Sequence, residues 1–355
     1  MRVVVSGGAG FVGGNLAVGL AEAHPDWHVT AYDNLHRRGS ELNLPRLAQA
    51  GVEFVQGDVR DPAQLDALGA CDALVECSAE PSVLAGVDTA PSYAIETNLF
   101  GAYRCLEHCR RHRAQLVFLS TSRVYPVRQL RALRLEESKT RFLLAAEQEL
   151  PGASEHGIAE TFPLDGVRTI YGATKLAAEL LIEEYRAAYG IHAVVDRFGV
   201  IAGPWQMGKV DQGVVAHWVL SHHFGLPLRY LGFGGSGKQV RDLIHVADVV
   251  DLIDLQLRDR EVWDGAVVNV GGGLECSLSL AELTDLCVAS TGRTTRLTAD
   301  GAAERPGDVP VYVSDCRLLE ERTAWRPRRD ACRIVGDVAA WVREHENDQK
   351  SLIVT

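Results

Sequence analysis

Tyr171 and Lys175 stand four residues apart in Tyr171-Gly-Ala-Thr-Lys175. On a helix, positions i and i+4 share one face, so the phenol and the ammonium would point the same way. Leu176, Ala177, Leu180 and Leu181 continue the apolar side of such a helix. An ammonium beside a phenol favours the ionised form, and a phenolate can take a proton from an alcohol as hydride leaves the same carbon. On its own, a Tyr-x-x-x-Lys pair more often marks a solvated helix face. Thr121, in Phe118-Leu-Ser-Thr-Ser-Arg-Val-Tyr, closes an apolar run and could hydrogen-bond the same reacting oxygen. Ser120 and Ser122 offer similar chemistry on either side.

A hydride needs an acceptor, and the start of the chain supplies a site for one. Ser6-Gly-Gly-Ala-Gly-Phe-Val-Gly-Gly-Asn places Gly7, Gly10 and Gly13 in a Gly-x-x-Gly-x-x-Gly turn between an apolar run and a helical pattern. Without side chains there, the backbone can turn tightly and approach a pyrophosphate at the positive end of a helix. About twenty residues on, Asp33 ends the next apolar run, where a carboxylate accepts from the adenosine ribose and repels a 2′-phosphate. That predicts NAD rather than NADP. Arg37 and Arg38 come soon after and point the other way, since arginine accommodates a 2′-phosphate. Asp58, in Gln56-Gly-Asp-Val-Arg-Asp, could bond the adenine amino group or merely cap a helix.

These residues must be positioned by alternating elements. Val3–Val5, Val29–Tyr32, Phe54–Val55, Ala73–Val75, Leu116–Leu119 and His192–Arg197 read as strands. Asn15–Ala23, Tyr93–His112 and Tyr171–Tyr189 read as helices. Strands alternating with helices predict an α/β fold, a doubly wound parallel sheet of Rossmann type. A change of character near Gly199 suggests a domain boundary. Residues 1–198 are expected to bind NAD, and residues 199–345 to form mainly a smaller C-terminal substrate-binding domain, part of it returning to the main sheet. The polar stretch 128–165 is read as an active-site flap. The charged tail from Glu344 is expected to fray.

Among the chain's 355 residues, acids outnumber bases to leave a net charge of -11, which argues against a nucleic-acid partner. No apolar span long enough for a membrane and no signal peptide is evident, so the expected compartment is the cytosol. The eight cysteines form no Cys-x-x-Cys pair; Cys105 and Cys109, one helical turn apart, are at most half of a metal site, and no metal is expected.

The glycine turn, Asp-Asn-Leu at 33–35, Ser-Thr-x-x-Val-Tyr at 120–125, Tyr-x-x-x-Lys and a late Arg-Asp at 241–242 together resemble the extended short-chain dehydrogenase/reductases that act on nucleotide sugars. The likeness runs over roughly residues 1 to 340. Thr121-Ser-Arg-Val-Tyr, Lys209-Val-Asp-Gln-Gly and Gly237-Lys-Gln-Val-Arg-Asp-Leu-Ile-His are most similar to a branch of epimerases working at C2. By position, the resemblance implies that Gly7, Gly10, Phe11, Val12, Gly13, Asp33, Asn34, Arg37, Asp58, Val59, Asn98, Tyr171 and Lys175 hold NAD. It implies Thr121, Tyr171 and Lys175 as the catalytic set. Arg241 and Arg305 match positions that grip the nucleotide diphosphate, for which an arginine fork is suited; the lesser alternative is that they are structural partners of Asp242 and Asp308. Arg123, Asp211 and Gln212 are further candidates for contact with the sugar nucleotide. Dimers formed by packing two helices are usual in this group, so a homodimer is expected.

Three departures stand out. Glu76-Cys-Ser-Ala-Glu-Pro-Ser occupies a strand end where the family more often has His-Leu-Ala, Pro126 replaces a glycine, and the 128–165 stretch is long. The two residues after Thr121 narrow the reaction. Sugar 4,6-dehydratases need an acid–base pair there and related decarboxylases a glutamate, but this chain has Ser122 and Arg123. Only an acid such as Glu136 or Glu137, reaching in from the flap, would restore elimination. Epimerisation remains: proton removal by Tyr171, transient oxidation to a keto-sugar, and hydride return to the opposite face, at C2 by resemblance or at C4. A net dehydrogenase would share these residues. A non-catalytic NAD-sensing scaffold is the reading of another class, and the retained Tyr171 and Lys175 argue against it.

Overall fold

The computed structural model describes residues 1–87, 90–208, 212–299 and 307–353. Strands β1 (Arg2–Ser6), β2 (His28–Asp33), β3 (Glu53–Gln56), β4 (Ala73–Glu76) and β5 (Gln115–Thr121) belong to a seven-stranded sheet completed by Ala193–Phe198 and Val267–Val270. The order is Val267–Val270, Ala193–Phe198, β5, β4, β1, β2, β3, and the four pairings among β1–β5 are parallel. Helices cover both faces of such a sheet, which is why its strands read as nearly continuous apolar runs. β5 is buried along its whole length. Strand order reverses between β1 and β4, the point at which open α/β sheets bind ligands beyond their carboxyl ends.

The chain gathers into two compact units. The first comprises residues 1–121, 170–197 and 249–267; the second comprises 122–169, 198–248 and 268–355. In the first, Cys105, Leu106, Cys109, Ala178 and Ile182 from two helices pack on Val4, Leu74, Leu116 and Phe118 of the sheet. Cys105 and Cys109 are thus small core hydrophobes. The helix running to His112 begins at Ser92 and contains a π-helical turn at Glu96–Phe100, a feature frequent at functional sites.

In the second unit, helices Val214–Phe224, Leu280–Thr291 and Ala331–Glu344 enclose a core of Trp218, Val219, Leu283, Cys287, Val335, Val338 and Trp341. A four-stranded sheet is built from Val200–Ala202, Val240–His245, Ser277–Ser279 and Val311–Tyr312. The 128–165 stretch is not a bare loop. It has a short helix, Val127–Arg131, and two antiparallel ladders, Leu135–Glu137 with Phe142–Leu144 and Ala153–Ser154 with Gly157–Ile158. Its backbone is tied down by bonds such as Ile158 N–H to Val313 O at 2.8 Å and Phe142 N–H to Lys238 O at 3.0 Å. Beyond Glu344 the chain forms another helix, Glu346–Ile353, where the sequence suggested fraying; Gln349 is buried, which gives that helix an anchor. No described helix is long and apolar enough to cross a membrane.

Candidate active site

The glycine turn comes directly after β1. Gly7 has a left-handed φ of +65°, and its carbonyl accepts from the Gly10 N–H at 2.9 Å. A Cβ on Gly13 would lie 2.2 Å from that carbonyl oxygen, and one on Gly8 would lie 2.6 Å from the Ala31 Cα. Only bare backbone fits. Helix Phe11–Ala23 opens here, with Phe11 and Val12 in its first turn, and carries neither a side-chain cap nor an acid at that end. Its positive terminus is therefore left uncompensated by the protein, as binding a pyrophosphate requires. Asn43 donates to the Ala9 carbonyl at 2.9 Å and keeps a buried Oδ1 without a hydrogen-bond partner beside the turn.

Asp33 closes β2, and its carboxylate accepts from the N–H groups of Leu35 at 2.7 Å and Ala9 at 3.1 Å. Burial raises its pKa above the ordinary aspartate value, more than those backbone donors lower it. Such a carboxylate gains from further donors, and ribose hydroxyls are suitable ones. Asn34 donates to Asp58 at 2.9 Å, so the ends of β2 and β3 are joined. Asp58 is not a helix cap; Asp61 caps Pro62–Asp66. Instead Arg60 grips Asp58 through Nε and Nη2, holding it well below the usual carboxylate range. Val59 is buried and would be met at 2.8 Å by a Cβ on Gly101. Arg37 is half-buried and Arg38 exposed. These groups fit an adenine dinucleotide.

Helix Ile170–Tyr189 carries Tyr171, which is half-buried, and Lys175, which is buried. Asn98, in the π-helical turn, accepts from the Glu80 N–H at 2.7 Å and donates to the Glu80 carbonyl at 3.0 Å. It also donates to Thr174 Oγ1 at 3.3 Å, and that hydroxyl donates to the Tyr171 carbonyl at 2.8 Å. The segment after β4 and the first turn of the tyrosine helix are thereby locked together. Thr121 is buried at the carboxyl end of β5. Lys175 lies over the Phe118 ring of β5, 4.3 Å from its centroid, and its Nζ donates to Glu76 Oε2 at the end of β4 at 3.1 Å. Ser120 is engaged by Glu179, itself paired with Arg197 at 2.7 Å. That leaves Ser120 a structural role.

Glu76 is the residue that motif reading noted only as a departure. Its one visible signal is an acid ending the apolar run Ala73-Leu-Val-Glu. Asn43 and Arg60 carried no motif signal at all.

In the second unit, Arg241 is half-buried and donates to Asp308 and to the Val309 carbonyl, both at 2.7 Å. Burial lowers its pKa to about 10 despite the Asp308 charge. Asp242, its neighbour in sequence, does not pair with it; it lies by Ser314, and burial raises its pKa to about 6. Arg123 donates to the Gly307 carbonyl at 3.0 Å, and Arg131 to that of Asp308 at 2.8 Å. Three arginines therefore converge on residues 307–309. Glu136 and Glu137 lie exposed on a hairpin, with Glu137 paired to Lys238 at 2.7 Å. Gln212 immediately precedes the turn into Val214–Phe224, while Asp211 and Arg305 lie outside the described residues. Among the described residues no cluster of His, Cys, Asp and Glu could hold a metal ion.

A model of the NAD dependent epimerase/dehydratase family matches residues 3–271. The chain belongs to this family. It is similar to CDP-paratose 2-epimerase of Salmonella typhi, 28% identical over 342 residues that cover 93% of this chain and 96% of that one. It is similar also to dTDP-glucose 4,6-dehydratase of Mycobacterium tuberculosis, 31% identical over 98% of this chain and 95% of that one. Among solved structures, UDP-glucose 4-epimerase of Thermus thermophilus in complex with NAD superposes with a TM-score of 0.77 at 27% identity, covering 97% and 99% of the two chains. The family member is thus an NAD-dependent enzyme with a Rossmann-type sheet.

Proposed function

We propose that the protein is a nucleotide-sugar epimerase that oxidises one sugar hydroxyl transiently and resembles CDP-paratose 2-epimerase in the carbon it inverts. The observation carrying this reading is the pair after Thr121. Ser122 and Arg123 stand where elimination of water needs an acid and a base, and Arg123 is committed to the Gly307 carbonyl. Glu136 and Glu137, the two flap acids named as replacements for that pair, sit on an exposed hairpin.

NAD, when bound, supplies the hydride acceptor and donor. In this reading Tyr171 takes the hydroxyl proton and returns it, and Thr121 hydrogen-bonds the reacting oxygen. Lys175 keeps positive charge beside the phenol and holds the nicotinamide ribose. Asp33, Asn34 and Asp58, with the glycine turn, hold the adenosine half. Arg241 and Arg305 are assigned to the diphosphate, with Asp211 and Gln212 toward the sugar and Arg123 a further contact with the sugar nucleotide. Residues 1–198 would serve the cofactor and 199–345 mainly the substrate, with 128–165 as a flap.

The test is incubation with CDP-, UDP-, GDP- and dTDP-sugars in deuterated water. Epimerised product without solvent deuterium at the inverted carbon is expected. A 4-keto-6-deoxy product would replace this reading with dehydration, and inversion only at C4 would make the enzyme a 4-epimerase. We further infer a cytosolic homodimer. Phe100, Tyr103, Leu180 and Tyr189 are exposed on two neighbouring helices of the first unit, an apolar set suited to a two-fold contact. Sedimentation at a single-chain mass would remove that inference.

A further inference from the structure

Lys175 is almost wholly buried, with 2% of its side chain exposed, and Glu76, which it meets at 3.1 Å, has 1%. Both oxygens of Glu76 are engaged: Oε2 by Lys175, and Oε1 by the Ser78 hydroxyl at 2.5 Å. Ser78 in turn lies 3.2 Å from Ser6, the last residue of β1. The carboxylate is thus pinned between two strand ends and cannot swing away to water. This is a fixed countercharge.

The other groups facing Lys175 cannot take its place. Cys77, beside Glu76, and Cys105, from the helix Gly101–His112, have thiols held neutral by burial. Phe118 offers only its ring. Tyr171, on the same helix, is the group whose charge must change during the proposed turnover. A lysine buried this deeply and left unpaired goes neutral. Burial does oppose the charge on Lys175, yet the Glu76 carboxylate, with Tyr171 next in effect, outweighs it and leaves the lysine pKa above its ordinary value.

We propose that Glu76 is a positioning residue that keeps Lys175 aimed and protonated beside Tyr171, and so sets the alkaline limit of turnover. The inference rests on Tyr171 and Lys175 being the reacting pair. It carries a specific expectation about direction. Lys175 without Glu76 loses its proton at lower pH, and the rate falls with it.

The chain contains only five lysines, at 139, 175, 209, 238 and 350, so lysine labelled with 13C at Cε gives a spectrum of five signals. The Lys175 signal is assigned by its loss in Lys175→Arg. In the parent that signal should hold its protonated position to the alkaline end of the accessible range. In Glu76→Gln it should titrate at least one pH unit lower, as expected for loss of an opposite charge at this separation. The kcat of the variant should fall about ten-fold per unit above the same pH. Glu76→Asp, which keeps the charge, should lie nearer the parent. Should Glu76→Gln not fold, Glu76→His, which restores the residue more common at this place in the family, removes the charge in its stead.

A Lys175 titration unchanged by loss of the carboxylate overturns the proposal. So does a titration that moves while the alkaline limb of kcat stays in place, or the reverse. A purely structural ion pair would lower thermal stability and move the lysine titration, but leave the alkaline limb of kcat where it was. Failure of the underlying reading looks different: Tyr171→Phe would then turn over like the parent, while the lysine titration would still report on Glu76.

Discussion

The carbonyl oxygen of Gly7 occupies the space that a side chain on Gly13 would need, since a Cβ there would lie 2.2 Å away. Neither backbone can yield, because Gly7 is held in a left-handed turn closed by the Gly10 N–H. Gly13→Ala is therefore expected to open the turn and release the cofactor. The purified variant should carry little bound NAD(H) and should lose roughly 1–3 kcal/mol of stability through overpacking. Nucleotide analysis of the denatured protein and a urea titration check the two halves separately.

Asp33 predicts a trade between stability and binding. Its carboxyl has a raised pKa in the folded protein, so ionised Asp33 opposes folding in the absence of ligand. The sign is that of an acid that prefers its proton when folded: the penalty is absent below the unfolded pKa of about 4 and grows as pH rises through the folded value. Asp33→Asn should thus raise the melting temperature of the cofactor-free protein at pH 7, and the gain should vanish near pH 4. The same variant should bind NAD more weakly and discriminate less against NADP, as isothermal titration would show. A lower melting temperature at pH 7 would mean that the bonds from Leu35 and Ala9 matter more than the desolvated charge.

Arg241 is half-buried, with Nη2 donating to Asp308 and the Val309 carbonyl and Nη1 to the Val240 carbonyl. If it holds the diphosphate, Arg241→Lys should raise KM about 10- to 100-fold and leave kcat largely intact, because a point charge replaces a planar fork. Steady-state kinetics with the identified sugar nucleotide decide this. A fall in kcat alone would assign Arg241 to another step.

Glu282 serves two structures at once. It completes a capping box with Ser279 at the start of helix Leu280–Thr291, and it receives the Arg141 guanidinium at 2.5 Å. Burial opposes its charge, but Arg141, Ser279 and Thr140 prevail and bring its pKa down to about 2. An acid with a depressed folded pKa stabilises above its unfolded pKa and loses that contribution as pH falls toward the folded one. Glu282→Gln should cost roughly 1–3 kcal/mol at neutral pH. Urea midpoints of parent and variant should converge between about pH 4.3 and pH 2.

Much of the first unit was legible in the sequence because its signals are local. A buried parallel strand is a run of apolar residues, and β1, β2, β4 and β5 each appeared within a residue or two of their ends. The glycine turn and Asp33 were legible for the same reason, since backbone geometry limits what can stand there. Glu76 was not, because its meaning depends on a lysine 99 positions away and on a register that only the assembled sheet provides. The short elements inside the 128–165 stretch, read from the sequence only as a flap, were illegible for a related reason. The strands there are three residues long or shorter, too brief for a periodic signal, and their partners, such as Val313 and Lys238, lie far along the chain.

The Arg141 guanidinium meets Ser277 Oγ, the Ser277 carbonyl and both oxygens of Glu282. One side chain from the long polar stretch therefore clasps a strand end and a helix start together. For anyone wishing to shorten this protein, or to graft a relative's shorter segment into it, the clasp marks a place that cutting must avoid. Excision on the C-terminal side of Leu144 spares it, provided the buried Ile158 and its bond to Val313 are kept. Excision that includes Arg141 strands a half-buried carboxylate at a helix cap, and the replacement segment must bring its own cation.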